Sequence, residues 1–169
     1  VYKRQVLDMS IQSVKAYFEK QGRLADVREF NESSATVEQA AQVLQVIPAR
    51  IAKTLSFHDA EHGALILVAA GDAKIDNSRF KQQFGFKAKM LDVETVATLT
   101  GHPVGGVCPF ALTSALPVFL DVSLKRFTTV FPACGSANSA IELTCDELEQ
   151  YAMTTAWVNV CKAWNESEG

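Results

Sequence analysis

The segment between Gly63 and Gly71 constrains the fold of this chain more than any other. It reads Ala-Leu-Ile-Leu-Val-Ala-Ala, an apolar run with a glycine at each end. Such a run is too short to cross a membrane as a helix, which takes about 20 apolar residues. It is also apolar on both faces, whereas a strand with one face in water alternates between apolar and polar residues. The run therefore predicts a central β-strand that is covered by protein on both sides.

The composition favours a soluble globular protein. The chain has 169 residues, of which 48% are hydrophobic and 21% are charged, so one domain with a substantial core can form. The net charge of −3 argues against a broad nucleic-acid surface, because proteins that follow a phosphate backbone carry a basic stripe. We therefore expect no DNA partner and no membrane partner, and any contact with nucleic acid should be local and weak.

The cysteines and histidines indicate neither a disulfide framework nor a metal site. The four cysteines form no C-x-x-C pair and are expected to be reduced, mostly buried thiols of a cytoplasmic protein. His58 and His62 have the spacing of metal ligands on a helix, but Asp59 to Gly63 is typical of a turn between strands. We therefore expect no metal and no cofactor.

We expect residues 6–164 to form a single domain, since no internal repeat, low-complexity segment or linker divides the chain. The first five residues, Val1 to Gln5, read like the translation of a common sequencing adapter, so a non-native start is expected there. The polar tail, residues 165–169, is expected to fray.

Capping and periodicity signals predict a mixture of helices and strands. Helices are predicted from Ser10 to near Gly22, from Thr36 through Leu44, at Pro48, around Phe80 and Phe84 up to Gly85, from Asp92 to Gly101, and from Asp146 through Tyr151. Strands are predicted at Val27 to Phe30, Lys53 to Phe57, Leu116 to Asp121, Thr128 to Cys134 and Ala140 to Thr144. Ala156 to Cys161 fits either a strand or a helix.

A single lysine stands out in the predicted strand Lys53 to Phe57. Side chains two residues apart on a strand share a face, so Lys53 shares its face with Leu55 and Phe57. An ammonium on an apolar face is costly unless it finds a partner or a ligand. The lysine either extends its ammonium to water from the end of the strand or holds a polar group of a ligand.

Two segments rich in small residues are candidates for a ligand site. The first, Gly101 to Phe110, contains two adjacent glycines and two prolines, and we call it the glycine loop. Adjacent glycines let the backbone approach a ligand closely, and their N–H groups could face a carbonyl or phosphate oxygen. Taken alone, this loop is more typical of a tight turn. The second segment, Cys134 to Ser139, fits either a hairpin loop or a pocket wall.

Three motifs, in this order, resemble the YbaK/EbsC family of free-standing aminoacyl-tRNA deacylases, which are related to the editing insert of bacterial prolyl-tRNA synthetases. The motifs are Arg50-Ile51-Ala52-Lys53-Thr54-Leu55, Gly105-Gly106-Val107-Cys108-Pro109-Phe110, and Cys134-Gly135 followed by Ile141-Glu142-Leu143. The resemblance covers about residues 10–152. It implies an α+β fold, in which helices surround a compact, mixed, barrel-like β-sheet, and a single editing-type domain.

The resemblance also implies an activity, the hydrolysis of the ester that joins a mischarged amino acid to the terminal adenosine of a tRNA. Lys53 matches the family's essential lysine, and it would hold the phosphate or ribose end of the substrate. Gly105 to Pro109 match the family's glycine-to-proline substrate loop, whose backbone would face the reacting carbonyl. Lys53, Gly105 and Gly106 would be the catalytic residues, and the substrate's own ribose hydroxyl would assist the water. The residues expected to contact the substrate are His102, Val107, Cys108, Pro109, Phe110, Gly135 and Ser136.

The implied partners are the acceptor end of a mischarged tRNA and, as a second partner, an aminoacyl-tRNA synthetase. The identity of the removed amino acid is not readable, because small pockets discriminate poorly between side chains that differ by one methylene. Two alternatives stay open: a binding module without turnover, and a thiol hydrolase that uses Cys108. His102 could instead cap the loop, Cys108 could fill space, and Ser136 could belong to a turn.

Overall fold

The chain folds into a curled, six-stranded sheet with helices around it in a computed structural model that describes residues 2–164, with side chains from Met9 onward. Val1 and the tail expected to fray, residues 165–169, lie outside the described residues. The α-helices are α1 (Tyr2–Lys20), α2 (Val37–Leu44), α3 (Asn77–Phe84), α4 (Val93–Thr100) and α5 (Cys145–Tyr151). The strands are β1 (Arg28–Glu29), β2 (Ile51–Asp59), β3 (Gly63–Ala70), β4 (Lys74–Ile75), β5 (Val118–Asp121), β6 (Thr129–Pro132), β7 (Ser139–Ala140), β8 (Leu143–Thr144), β9 (Ala156–Val158) and β10 (Cys161–Lys162). Short 3₁₀ helices span Leu24–Asp26, Pro48–Arg50 and Val122–Arg126.

The sheet is built around the antiparallel hairpin of β2 and β3. Its strand order is β8-β6-β2-β3-β5-β9, in which β6 runs parallel to β2, and β5 and β9 run parallel to β3. Two small ribbons, β1 with β7 and β4 with β10, lie outside this sheet. Strand β3 is buried from Ala64 to Ala70, which confirms the predicted central strand. The mixed sheet and its helices also confirm the expected α+β, barrel-like fold.

The predicted ends of three helices are confirmed by their capping contacts. In α2, the Thr36 hydroxyl accepts from the Gln39 N–H while the Gln39 side chain accepts from the Thr36 N–H, a complete capping box. Helix α3 ends at Gly85 in the left-handed region, φ 85°. Helix α4 is capped by Asp92, whose carboxylate accepts from the Thr95 N–H.

Two predicted helix starts are wrong. Helix α1 begins at Tyr2, and Ser10 lies in its interior, fully buried. Its hydroxyl contacts other parts of the chain instead of the helix end, so a good capping residue serves a tertiary contact here. Helix α5 is capped by Thr144 in a capping box with Glu147, and Asp146 lies in the first turn.

The structure divides one predicted strand and assigns another. Ala140 to Thr144 is two strands rather than one, because β7 pairs with β1 whereas β8 pairs with β6. Two different partners require the chain to turn between them. The undecided segment, Ala156 to Cys161, contains β9 and the first residue of β10.

Helix α2 covers one face of the sheet beside the lysine. Ala40 and Ala41 of α2 form a buried cluster with Ile51 and Phe131. Because side chains two residues apart on a strand share a face, Lys53 lies on the face that α2 covers. Among the described residues, no helix combines the length and the hydropathy needed to cross a bilayer.

Candidate functional site

A cavity of about 460 Å³ lies where α2, β2 and the glycine loop meet. Its wall combines Lys53 of β2 with Val37 of α2, Gly105 and Val107 of the glycine loop, and Ser139 of β7. Two of the three motifs read from the sequence, those that contain Lys53 and Gly105, thus meet at one place, and the segment Cys134 to Ser139 contributes Ser139 to the same wall. Among the described residues that line the cavity, Lys53 alone carries a charged side chain.

Lys53 is half-buried, and its ammonium is held by backbone oxygens. Nζ donates to the carbonyl oxygen of Ala73 and, at 3.4 Å, to that of Gly71. Burial lowers the pKa of Lys53, and the nearby Asp72 and Glu38 oppose this effect. An ammonium has three donors, so two carbonyl partners leave a third N–H for a ligand.

Strand β2 exposes part of its edge to the cavity. It pairs with β6 as far as Ala52 and bridges from Phe57 to Met90. Between these two contacts, Lys53, Thr54 and Leu55 line the cavity. The Thr54 hydroxyl is buried without a hydrogen-bond partner in the described part of the chain. Backbone and hydroxyl groups that are not taken up by a neighbouring strand are available to a ligand.

The glycine loop packs directly on the segment Cys134 to Ser139. A Cβ built on Gly106 would lie 2.7 Å from both Gly135 C and Ser136 N, so only glycine fits at this contact. Gly105 has a positive φ of 93° and lines the cavity. The Gly106 N–H is already donated to the carbonyl oxygen of Pro103, 2.9 Å away. Gly105 is therefore the glycine of this pair that faces the cavity.

Three residues predicted to contact the substrate lie outside the cavity wall. The side chains of His102, Cys108 and Phe110 belong to the glycine loop but are fully buried and do not line the cavity. His102 Nε2 lies 2.7 Å from the Phe110 carbonyl oxygen, and Nδ1 lies 2.6 Å from the Ser10 hydroxyl. This network joins the two ends of the loop, so direct contact with a substrate would require the loop to move.

The buried thiol of Cys108 is poorly suited to nucleophilic attack. Burial raises its pKa to about 12, so the thiolate is scarce at neutral pH. Its Sγ lies 3.5 Å from His102 Nε2, but that nitrogen lies closer to the Phe110 oxygen and donates to it. A base is therefore not free to accept the thiol proton.

The remaining predicted contacts are divided between two places. Val107 lines the cavity, whereas Pro109 lines a separate groove of about 990 Å³ next to Tyr17 and Tyr151. Gly135 and Ser136 do not line the cavity but contact residues of the glycine loop and the wall. The Ser136 hydroxyl lies 2.7 Å from that of Ser139, which forms part of the wall.

An apolar lip of the cavity was not predicted as part of a site. Met90, Val93 and Val104 line the cavity although their side chains are 57%, 64% and 59% exposed. Exposed large apolar side chains that cluster at a cavity are typical of a binding surface. No signal in the sequence identified this lip, because apolar residues beside a helix cap commonly pack against the helix itself.

Comparisons with known proteins identify the family of the chain. The family model for the aminoacyl-tRNA editing domain matches residues 31–151, which contain Lys53, the glycine loop and Cys134 to Ser139. The chain is 56% identical to YwhH of Bacillus subtilis (strain 168), an uncharacterized protein, over 156 residues that cover 92% of this chain and 99% of YwhH.

Two solved structures share the fold. One is a candidate trans-editing enzyme for prolyl-tRNA synthetase, with a TM-score of 0.81 and 26% identity over 90% of this chain and 97% of that chain. The other is the hypothetical protein APE2540, with a TM-score of 0.72 and 28% identity over 80% and 90% of the two chains. Because the family model matches most of the sequence, the chain belongs to the aminoacyl-tRNA editing domain family.

Proposed function

We propose that this protein is a trans-editing deacylase, which hydrolyses the ester between a mischarged amino acid and the terminal adenosine of a tRNA. The observation that carries the proposal is the position of Lys53, whose ammonium is the charged group of a cavity otherwise walled by small, apolar and hydroxyl side chains. Such a cavity suits a small acyl group attached to a polyanion. The family and the related trans-editing structure support the same activity.

Lys53 would position the substrate through its charge. Two of its N–H donors are directed at carbonyl oxygens, an arrangement that favours the protonated amine. A protonated amine has no lone pair with which to attack an ester. The third donor is available to a phosphate or ribose oxygen, which a tRNA acceptor end supplies.

The base for the reaction would come from the substrate. Among the described residues that line the cavity, none is a histidine or a carboxylate. The vicinal ribose hydroxyl can orient a water molecule, whose oxygen adds to the ester carbonyl while its proton passes toward the ribose. The ester C–O bond then breaks, and the ribose oxygen keeps the proton. The products are the free amino acid and a tRNA with an intact ribose hydroxyl. The backbone at Gly105 would face the developing negative charge.

The family resemblance makes alanine, cysteine, serine and threonine the candidate acyl groups. A cavity of about 460 Å³ has room for each of them. The related structure is described as a trans-editing enzyme for prolyl-tRNA synthetase. A tRNA for proline and that synthetase are therefore the first partners to examine. Charged tRNA is used at the ribosome, so the proposal places the protein in the cytoplasm.

A deacylation panel tests this proposal. Purified protein is incubated with tRNAs charged with Ala, Cys, Ser, Thr or Pro, and ester loss is followed against a buffer control. We expect faster loss for at least one small amino acid. Ester loss at the buffer rate for every substrate, together with measurable tRNA binding, would support a binding module without turnover instead.

A further inference from the structure

The ammonium of Lys53 rests on a short turn, Gly71 to Ala73, which connects β3 with β4. The two carbonyl oxygens that accept from Nζ belong to Gly71 and Ala73, the residues on either side of Asp72. An ammonium only donates, so its position depends on where these oxygens point. Any contact that fixes the turn therefore also fixes the lysine.

Close packing holds the turn from one side. A Cβ built on Gly71 would lie 2.1 Å from the carbonyl oxygen of Pro48 and 2.7 Å from Cγ1 of Val37. Gly71 thus lies directly against α2 and against the 3₁₀ helix that precedes β2. Only glycine fits at this contact.

An ion pair holds the turn from the other side. Arg126 donates from Nη1 to Oδ2 of Asp72 at 2.9 Å and from Nη2 to Oδ1 at 2.6 Å. The Arg126 side chain is only 4% exposed, and its guanidinium lies 4.8 Å from the Phe127 ring centroid and 5.0 Å from that of Trp164. Two parallel hydrogen bonds from a stacked guanidinium fix the orientation of the carboxylate as well as its distance.

We propose that the Asp72–Arg126 pair is a positioning device for Lys53. Neither residue lines the cavity. The pair orients the turn so that both carbonyl oxygens meet the ammonium, and it keeps a negative charge near that ammonium. The kinetic consequence of this device rests on the proposed function, whereas the state of Lys53 can be measured in the free protein.

The charges that face Lys53 agree with this role. Burial lowers the pKa of Lys53, Asp72 and Glu38 oppose that effect, and Lys74 adds to it. Cys161 also faces the lysine, but burial raises the pKa of its thiol to about 12, so it is uncharged near neutral pH. Removing the Asp72 carboxylate should therefore lower the pKa of Lys53 further.

The experiment measures the titration of Lys53 without substrate. Competitive acetylation with acetic anhydride over a pH series, read by mass spectrometry of the peptide that contains Lys53, reports the ionisation of that amine. The variants are Asp72→Asn, which removes the charge, and Arg126→Lys, which keeps both charges but loses the paired geometry. Asp26→Asn is the matched control, because Asp26 is an exposed carboxylate paired with Arg23 at 2.6 Å.

We expect Asp72→Asn to move the acetylation midpoint of Lys53 to lower pH, and Arg126→Lys to increase its reactivity at a fixed pH. Both variants should lower kcat/KM for deacylation by about tenfold, the effect of losing one hydrogen bond to a charged group. Asp26→Asn should change neither quantity. A loss of folded protein alone would lower the active fraction and leave the titration of Lys53 in the folded molecules unchanged.

The outcomes separate this inference from the proposed function. In the first outcome, the parent protein deacylates tRNA, and Asp72→Asn has the same Lys53 titration and the same turnover as Asp26→Asn. The positioning role is then wrong and the proposed function stands. If Asp72→Asn shifts the titration while no protein hydrolyses any substrate, the positioning role stands and the proposed function fails.

Discussion

At the scale of single residues, Lys53 shows how an apolar face accommodates a charge. The cost of burying its ammonium is reduced because the turn after β3 supplies two carbonyl oxygens as hydrogen-bond acceptors. The alternation around Lys53 indicated that a partner was needed. It could not indicate which one, because Gly71 and Ala73 reach the lysine only through the β2–β3 register, which pairs Lys53 with Ala69.

Ser10 shows the opposite case, a residue whose local signal was misleading. Serine is a common helix cap, and nothing nearby in the sequence distinguishes a cap from a buried interior serine. Its actual partners, His102 and Gly135, are 92 and 125 residues away. Contacts at such separations depend on the complete fold.

The thiol of Cys108 should be dispensable for turnover. It is fully buried and its pKa is raised to about 12, so we expect Cys108→Ala to keep most of the parent deacylation rate. Initial rates on the best substrate of the panel measure this. Loss of turnover in both Cys108→Ala and Cys108→Ser, when each protein is folded, would favour the thiol hydrolase instead.

Gly106 should tolerate no side chain. Its Cβ would lie 2.7 Å from backbone atoms of Gly135 and Ser136, so Gly106→Ala should cost about 2 kcal/mol of unfolding free energy and reduce turnover. Gly22→Ala is the control, because Gly22 has a φ of 73° but open space around it. It should cost about 1 kcal/mol and leave turnover unchanged. Equal costs in urea denaturation would contradict the close approach of the two loops.

At the scale of elements, local chemistry determined most helix boundaries. The capping box of Thr36 and Gln39 and the left-handed glycines at positions 85 and 101 are short-range signals, and the structure contains all of them. The division of Ala140 to Thr144 depends on two partner strands that are distant in sequence. That part of the fold was not accessible from local pattern.

The two capping boxes allow a matched test of the part that α2 plays in the site. Thr36→Ala and Thr144→Ala each remove a capping hydroxyl and should each cost about 1 kcal/mol of stability. Thr36 lines the cavity and Thr144 does not. We therefore expect only Thr36→Ala to raise KM for deacylation, measured under conditions in which both proteins are folded. The same KM for both variants would contradict a contribution of the start of α2 to substrate binding.

At the scale of the whole molecule, a buried network ties α1 to both loops. Ser10 of α1, His102 and Gly135 meet through contacts of 2.6 Å. The Ser10 hydroxyl donates its one proton to the Gly135 carbonyl oxygen, while His102 Nδ1 lies 2.6 Å from Ser10 Oγ and Nε2 lies 2.7 Å from the Phe110 carbonyl oxygen. These contacts hold the ring of His102 in the interior, where burial disfavours its charged form.

The burial of His102 in this network predicts how the free energy of unfolding depends on pH. Burial lowers the pKa of His102 below the value of about 6.5 that it has when unfolded. Between these two values the unfolded chain binds the extra proton, so this contribution to stability is complete above about pH 6.5 and is lost as pH falls toward the folded pKa. Urea midpoints in a pH series should show this loss for the parent protein and for His58→Gln, an exposed control, but not for His102→Gln. An unchanged pH dependence in His102→Gln would contradict this role of the buried histidine.

The central claim is that Lys53 positions an aminoacyl-tRNA for hydrolysis in this cavity. The most direct measurement compares initial rates of amino acid release by the parent protein, Lys53→Ala and Lys81→Ala on the charged tRNA that is hydrolysed fastest. Lys81 is an exposed lysine of α3 and serves as the control. We predict that Lys53→Ala lowers kcat/KM by about a hundredfold, as expected for losing an electrostatic contact to the substrate, while Lys81→Ala matches the parent. Equal rates for all three proteins would contradict the account.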